Sequence, residues 1–521
     1  MRENFLKLLD CTLRDGGYIN NWGWGFSTAK TIINFLVKSG IDIIEVGFLR
    51  NIDSYNPDIT VSNTVHNLNK LLPDCVENRN VMFSAMAMCS NYDIEQLEPY
   101  KGNGIEMIRI TAHDYDIEEG LEFALKVKEL GYKVSINPIN IMGYTDCELL
   151  SILKKINYIK PYQFSIVDTF GSMRRRDLDR IVSLVDHNLN KDIRLNLHLH
   201  ENMSLGCLLA QNFIDKHLSR PISIDGSLMG MGRNPGNLPI ELIADYLNEY
   251  MNSNYDLDYM MDAIQDYIEP LHGKSEWGYT PAYFLSAHHN SHRNYAEYYL
   301  SKGTLTNREI NLLLSRIENN KKSVFDSGYA ENLYYEYQNN IIDDSESYKQ
   351  LECVLNSKKI LVMAPGATIE KESDRVKQFI KQNNPVVIFL NFVPDSYKAD
   401  FVFCNNNKRY QSLSLTNEKL IITSNIKSNK YDFCFNYNSL TLTVNYGTNS
   451  LLMLLKLLSL MKISKVYIAG ADGYRENEQN YYSPNIRSYS EHSSDYNREI
   501  GRIIKSFPMK IIFVTESEYN K

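Results

Sequence analysis

Cysteine pairs, long apolar runs and basic faces are all missing from this chain. Its eight cysteines are scattered over 521 residues without a C-x-x-C, which points to the reduced thiols of a cytoplasmic protein rather than to a disulfide framework. No stretch reaches the roughly eighteen uninterrupted apolar residues of a membrane span, and the most apolar segment, Leu451 to Met461, is too short. Lys and Arg gather into no long basic face, and the net charge is −8. Nucleic acid and membrane are therefore not expected partners. The run Arg174-Arg175-Arg176 reads as a solvated helix start. Met1 leads into the first strand with no signal peptide expected. A Gly-rich phosphate turn is also missing after that strand, where Arg14-Asp15-Gly16-Gly17 stands instead.

What is present is a regular alternation. The 43% hydrophobic fraction is that of a globular protein, and the length implies two or more domains. Strand-like runs are Leu6–Cys11, Ile41–Gly47, Val81–Met88, Ile105–Thr111, Lys133–Pro138, Gln163–Asp168, Arg194–His200 and Ser223–Ser227. Helical spacing separates them, as in Ser27–Ser39, Ile117–Leu130, Cys147–Ile159, Arg176–Asn188 and Ser204–Leu218. Such alternation implies parallel strands with right-handed crossovers, and eight units of this size predict a closed (β/α)8 barrel over residues 1–253.

Residues 254–350 read as an irregular helical extension, with a helix over Leu305–Ile317, a helix end at Tyr267-Ile268-Glu269-Pro270, and Trp277, Tyr279, Tyr283 and Phe284 packing it onto the barrel. His288, His289 and His292 fit one helical turn but have no carboxylate beside them, so a helix surface or subunit contact is the better reading. Residues 358–521 form a Rossmann-like α/β unit, with strands Ile360–Ala364, Val386–Asn391, Phe401–Asn405, Leu420–Ser424, Val466–Gly470 and Ile511–Thr515. Its turn Ala364-Pro365-Gly366-Ala367-Thr368 could present N–H groups to a phosphate, with Ala469–Gly473 facing the same crevice.

Barrel active sites lie at the carboxyl ends of the strands. Those ends carry Arg14 and Asp15, Glu45, Arg109 and Thr111, Asn137, Asp168 and Thr169, His198 and His200, and Asp225. Alternate residues share one face of a strand, so His198 and His200 point together while Leu195, Leu197 and Leu199 point away. Two imidazoles and the Asp15 carboxylate suit a divalent metal. A 2-oxo acid on such a metal can undergo carbon–carbon cleavage, and Arg14, always charged, is placed to stabilise the enolate.

The ordered motifs Asp10-x-Thr-Leu-Arg14-Asp15-Gly16, Ile44-Glu45-Val46-Gly47, Asp168-Thr169-Phe170-Gly171, His198-Leu-His200 and Gly230-Met-Gly232-Arg-Asn-Pro-Gly236-Asn237 resemble those of the DRE-TIM metallolyase family, from Leu9 to about Tyr246. The resemblance is nearest the 4-hydroxy-2-oxovalerate aldolase branch, since no separate regulatory acetyl-CoA domain is evident. It implies a metal on Asp15, His198 and His200 with Asn237 as a further ligand, manganese before magnesium, cobalt or zinc. It implies a catalytic set of Arg14, Glu45 and the residue four after the arginine. That residue is usually histidine, the general base; here it is Tyr18, a poor base at its ordinary pKa. The expected function is an aldolase acting on a hydroxy-2-oxo acid with pyruvate as one partner. The alternatives are a Claisen-type acyl-CoA synthase and a barrel serving only as scaffold. A homo-oligomer and a sugar-nucleotide ligand for the C-terminal unit complete the candidate partners.

Overall fold

The computed structural model describes residues 5–73, 81–413, 415, 417–443, 446–475, 478–483, 486 and 495–521; Met1, where no leader is expected, lies outside them. The chain divides into two compact units, Met1–Arg293 with Glu318–Val324, and Asn294–Ile317 with Phe325–Lys521. The helical stretch expected to pack on the barrel as one block is thus shared between the units.

The first unit holds β1 (Leu6–Asp10), β2 (Ile43–Leu49), β3 (Val61–Ser62), β4 (Met82–Met88), β5 (Ile105–Ala112), β6 (Lys133–Pro138), β7 (Gln163–Asp168), β8 (Arg194–Leu199) and β9 (Ile222–Gly226). Every pairing among them is parallel, the order runs β1-β9-β8-β7-β6-β5-β4-β2, and β1 pairs again with β2. That second pairing closes an eight-stranded barrel, with β3 added on β2. A two-residue strand carries no periodicity, which is why β3 goes unseen in the sequence.

Alternation along the strands sorts the side chains. Leu195, Leu197 and Leu199 join the apolar shell under the helices, while Asn196 and His198 belong to the opposite face. The helix Arg175–Asn188 buries Leu178, Ile181, Val182 and Val185 at helical spacing and leaves Arg174, Arg175 and Arg176 exposed at its start. On the inner face the strands carry buried polar residues. Ser223 Oγ lies 2.9 Å from Gln163 Oε1 and 2.8 Å from Asn196 Oδ1, and Asn196 Nδ2 donates to Ser165 Oγ at 3.0 Å. Ser165 Oγ in turn donates to Asn137. Such a floor departs from the branched apolar layers usual inside these barrels, but its donors and acceptors meet one another, which burial requires.

Two local expectations change. The segment at Tyr267–Pro270 does not end a helix: a π-helical turn over Ile264–Ile268 runs on into Glu269–His272, with Pro270 near the junction of the two. Trp277 does pack on the barrel, donating its indole N–H to the Met229 carbonyl at 2.9 Å, whereas Tyr279 is 55% exposed and covers nothing.

The second unit contains β10 (Ile360–Met363), β11 (Val386–Leu390), β12 (Phe401–Cys404), β13 (Lys419–Thr423), β14 (Phe433–Phe435), β15 (Lys465–Ala469) and β16 (Lys510–Phe513). They form one parallel sheet in the order β14-β13-β12-β11-β10-β15-β16, with an apolar core on each face. Strand order reverses between β10 and β15, and a crevice opens at their carboxyl ends. No helix among the described residues is long and apolar enough to cross a membrane.

Candidate metal centre

The residues that begin the site follow β1 directly. Asp10 accepts from the Thr12 N–H at 3.0 Å and from the Thr12 hydroxyl at 2.7 Å, which starts a helical turn over Thr12–Asp15. That turn swings Arg14 and Asp15 into the mouth of the barrel. The two glycines that follow are needed for close approach: a Cβ on Gly16 would lie 2.3 Å from the Thr12 carbonyl oxygen, and one on Gly17 2.1 Å from the Trp22 indole. Trp22 locks the turn from outside by donating to the Arg14 carbonyl at 2.8 Å.

Asp15, His198 and His200 converge, one ligand atom of each lying within 4.8 Å of the others. Their tautomers follow from their partners. His198 Nδ1 donates to Asp225 Oδ2 at 3.0 Å, and His200 Nδ1 donates to the Asp168 carbonyl oxygen at 3.1 Å. A carboxylate and a carbonyl can only accept, so both Nε2 lone pairs are left for a cation. Burial alone would raise the Asp15 carboxyl, but the Arg14 guanidinium and the two imidazoles hold it well below the usual carboxylate range. His200 is pushed down to about 3, by burial first and by His198 next. His198 goes the other way: burial works against its charge, yet Asp15 and Asp225 outweigh it. The same two carboxylates favour any cation at Nε2, proton or metal.

Asn237 is a neighbour of His200 in the fold, its backbone bridging to it. Its Nδ2 donates to the Met231 carbonyl at 3.2 Å. Its Oδ1 is buried with no hydrogen-bond partner, an omission that costs energy unless something electropositive meets it. A carboxylate and two imidazoles are a suitable donor group for a divalent ion.

Behind these groups lies a buried ion-pair frame. Arg14 Nε donates to Glu45 Oε2 at 2.7 Å, and Arg14 Nη1 to Asp15 Oδ2 at 2.9 Å. Arg109, fully buried, reaches Glu45 Oε2 at 3.1 Å and also bonds Asn137 and Asp225. Arg14 therefore both clamps Asp15 and faces the cavity. Tyr18 stands at the cavity mouth, 37% exposed, edge-on to Trp22.

Some sequence-chosen residues sit elsewhere. The Asp168 carboxylate turns out of the site to accept from the N–H groups of Ser172 and Met173, and its neighbour Thr169 lines the cavity instead. His292, read as helix surface or subunit contact, lines the cavity too and accepts from Arg233 Nη2 at 2.8 Å. Arg233, His113 and Asn202 also reach the cavity. Only Arg233 had a signal, its place between the glycines of the Gly230–Asn237 motif.

Residues 106–266 match the family described as HMGL-like. This chain contains an HMGL-like domain. Members of the DRE-TIM metallolyase family use a divalent metal, in keeping with the donor set at Asp15, His198 and His200. The chain is 25% identical over 239 residues to an oxaloacetate decarboxylase from Mycobacterium tuberculosis, covering 45% of this chain and 68% of the relative. It is 23% identical over 249 residues to a 4-hydroxy-2-oxovalerate aldolase from Geobacillus genomosp. 3, covering 47% and 70%. Among solved structures, the N-terminal domain of a candidate aldolase from Bacteroides vulgatus is 26% identical, with a TM-score of 0.47, covering 57% of this chain and 96% of that one. The family match and the names of the two sequence relatives indicate a metal-dependent enzyme of lyase or aldolase type.

In the second unit, two of the N–H groups that the Ala364–Thr368 turn was expected to present to a phosphate are in use. Gly366 donates to the Gly470 carbonyl at 2.8 Å and Thr368 to Asp472 Oδ2 at 2.8 Å. Asp472 accepts at Thr368 where a phosphate was expected to accept.

Proposed function

We propose that the barrel unit is a divalent-metal-dependent carbon–carbon lyase of the aldolase type, acting in the cytoplasm on a hydroxy-2-oxo acid with pyruvate as one partner. The observation that carries this reading is the convergence of Asp15, His198 and His200 beside Arg14 at one cavity. Those three residues and Asn237 would hold the metal, manganese first, which when bound supplies Lewis-acid polarisation of a keto oxygen. Arg14 spends Nε on Glu45 and Nη1 on Asp15, leaving Nη2 for negative charge developing on the substrate. Glu45 holds Arg14 and Arg109 in register. Tyr18, at the mouth, contacts the part of the substrate that leaves.

A second reading rests on Tyr18. Retro-aldol cleavage needs a base for the hydroxyl proton, and a tyrosine serves poorly. Loss of carbon dioxide from a 3-carboxy-2-oxo acid needs no such base: the carbon–carbon bond breaks, its electrons stay on the substrate, and the enolate later takes a proton from water. The relative named an oxaloacetate decarboxylase supports this branch.

Both readings predict pyruvate. The test is the manganese-loaded protein with a panel of 4-hydroxy-2-oxo acids and oxaloacetate, against the same metal without protein. Aldehyde or carbon dioxide beside pyruvate separates the readings, and no pyruvate above the metal control would sink both.

For the second unit a sugar-nucleotide ligand is our proposal, supported by the crevice at the strand-order reversal. Its phosphate would face Arg409 on the crevice wall rather than the Ala364–Thr368 turn. Titration of the full chain and of Arg409→Gln with sugar nucleotides tests this, and equal binding by the two would reject Arg409 as the contact.

A further inference from the structure

We infer that the substrate of the barrel site carries a second anionic group at the end remote from its 2-oxo acid head, and that Arg233 receives it. The inference rests on the site reading above and names the class of acid the site takes.

Four guanidiniums line the cavity, those of Arg14, Arg109, Arg233 and Arg293. Arg14 is neutralised by Asp15 and Glu45, and Arg109 by Glu45 and Asp225. Arg233 is built differently. Its backbone N–H donates to Asp15 Oδ1 at 3.3 Å, so its Cα is anchored beside the candidate ligands. Its side chain runs to the mouth, where the guanidinium lies 5.6 Å from the Tyr18 ring centroid and Nη2 donates to His292 Nε2 at 2.8 Å. Among the described residues, no carboxylate forms an ion pair with it.

His292 orients Arg233 without discharging it. Burial, then Arg233 and Arg293, push the imidazole down to about 3, so it accepts a hydrogen bond and offers no countercharge. A half-buried guanidinium held in place without a carboxylate partner is unfavourable. The cost disappears when an anion arrives, and a guanidinium fork with donors to spare matches a carboxylate or a phosphate bidentately.

The position separates this group from the head of the substrate. The head belongs at Asp15, His198 and His200, where Arg14 offers Nη2. Arg233 sits over Tyr18, which is 37% exposed and marks the way out. The cavity holds about 150 Å³, room for a short diacid or a small phosphorylated acid.

Calorimetry of the manganese-loaded full chain with lactate, malate and 3-phosphoglycerate tests this without turnover. The three share a 2-hydroxy acid head and end in a methyl, a carboxylate and a phosphate, so the second and third arms tell the two anions apart. We expect at least one of them to bind about tenfold or more tighter than lactate, as a charge-assisted bidentate contact supplies. Arg233→Gln should bring that ratio close to one, and Arg233→Lys should keep part of it. Equal binding of all three by the wild type, no binding of any, a ratio that survives Arg233→Gln, or a loss of lactate binding as large as that of malate would each overturn the inference. Failure of the lyase reading shows separately, as absent pyruvate in the assay above.

Discussion

Asp225 decides which nitrogen of His198 faces Asp15. Its Oδ2 takes the Nδ1–H at 3.0 Å, while His198 Nε2 lies 3.6 Å from Asp15 Oδ2. The carboxylate is itself held charged, because Arg109 outweighs the effect of burial on it. The orientation of one candidate ligand therefore depends on an ion pair that never touches the metal position.

Loss of the negative charge on Asp225 should loosen the metal. Asp225→Asn is expected to weaken manganese affinity by about 10–100-fold, read by competition with a chelating dye. Unchanged affinity would mean that this charge plays no part.

Direct removal of a ligand should do more. His198→Ala or His200→Ala is expected to lose most bound metal together with activity while keeping the circular dichroism of the wild type. Metal analysis of the purified variants is the check, and wild-type metal content would refute the site.

Arg14→Lys should keep the metal and lose on the order of 10²–10³-fold in turnover, since a lysine cannot serve Glu45, Asp15 and the substrate from one planar fork. Normal turnover in this variant would make Arg14 structural.

Asp10 offers a pH signature. Burial pushes its carboxyl up to about 7 from an ordinary value of 3.8. The folded state thus holds this proton across a window in which the unfolded chain has lost it. Stability contributed by the protonated form is full below about pH 4 and lost as pH rises towards 7. Asp10→Asn should remove that slope, so wild type should lose more than about 1 kcal/mol relative to the variant between pH 5 and pH 8. Denaturant melts at the two pH values measure it, and a parallel pH response would show that Asp10 is already charged at pH 5.

The barrel, its strands and the residues at Asp15, His198 and His200 were legible because each depends on local periodicity and on strand ends. Asp168 misled because strand-end position says nothing about which way a carboxylate turns, and two nearby N–H groups captured it. His292 and Arg233 meet across 59 positions of sequence, and no local pattern announces such a contact. The phosphate turn at Ala364–Thr368 had the right residues, but Asp472, 104 positions from Thr368, already accepts there. Tertiary partners, not propensity, separate the readings that held from those that did not.

The hydrogen-bonded floor beneath the centre has a further consequence. Ser165, Ser223, Gln163 and Asn196 form a small polarisable medium inside the barrel. Hydroxyl hydrogens can rotate between acceptors without moving a heavy atom. When the charge above them changes, by arrival of an anion or departure of a neutral fragment, these dipoles can realign in place. A floor of valine and leucine would answer the same change with nothing, and each new charge state would then have to be met by shifting the backbone or admitting water.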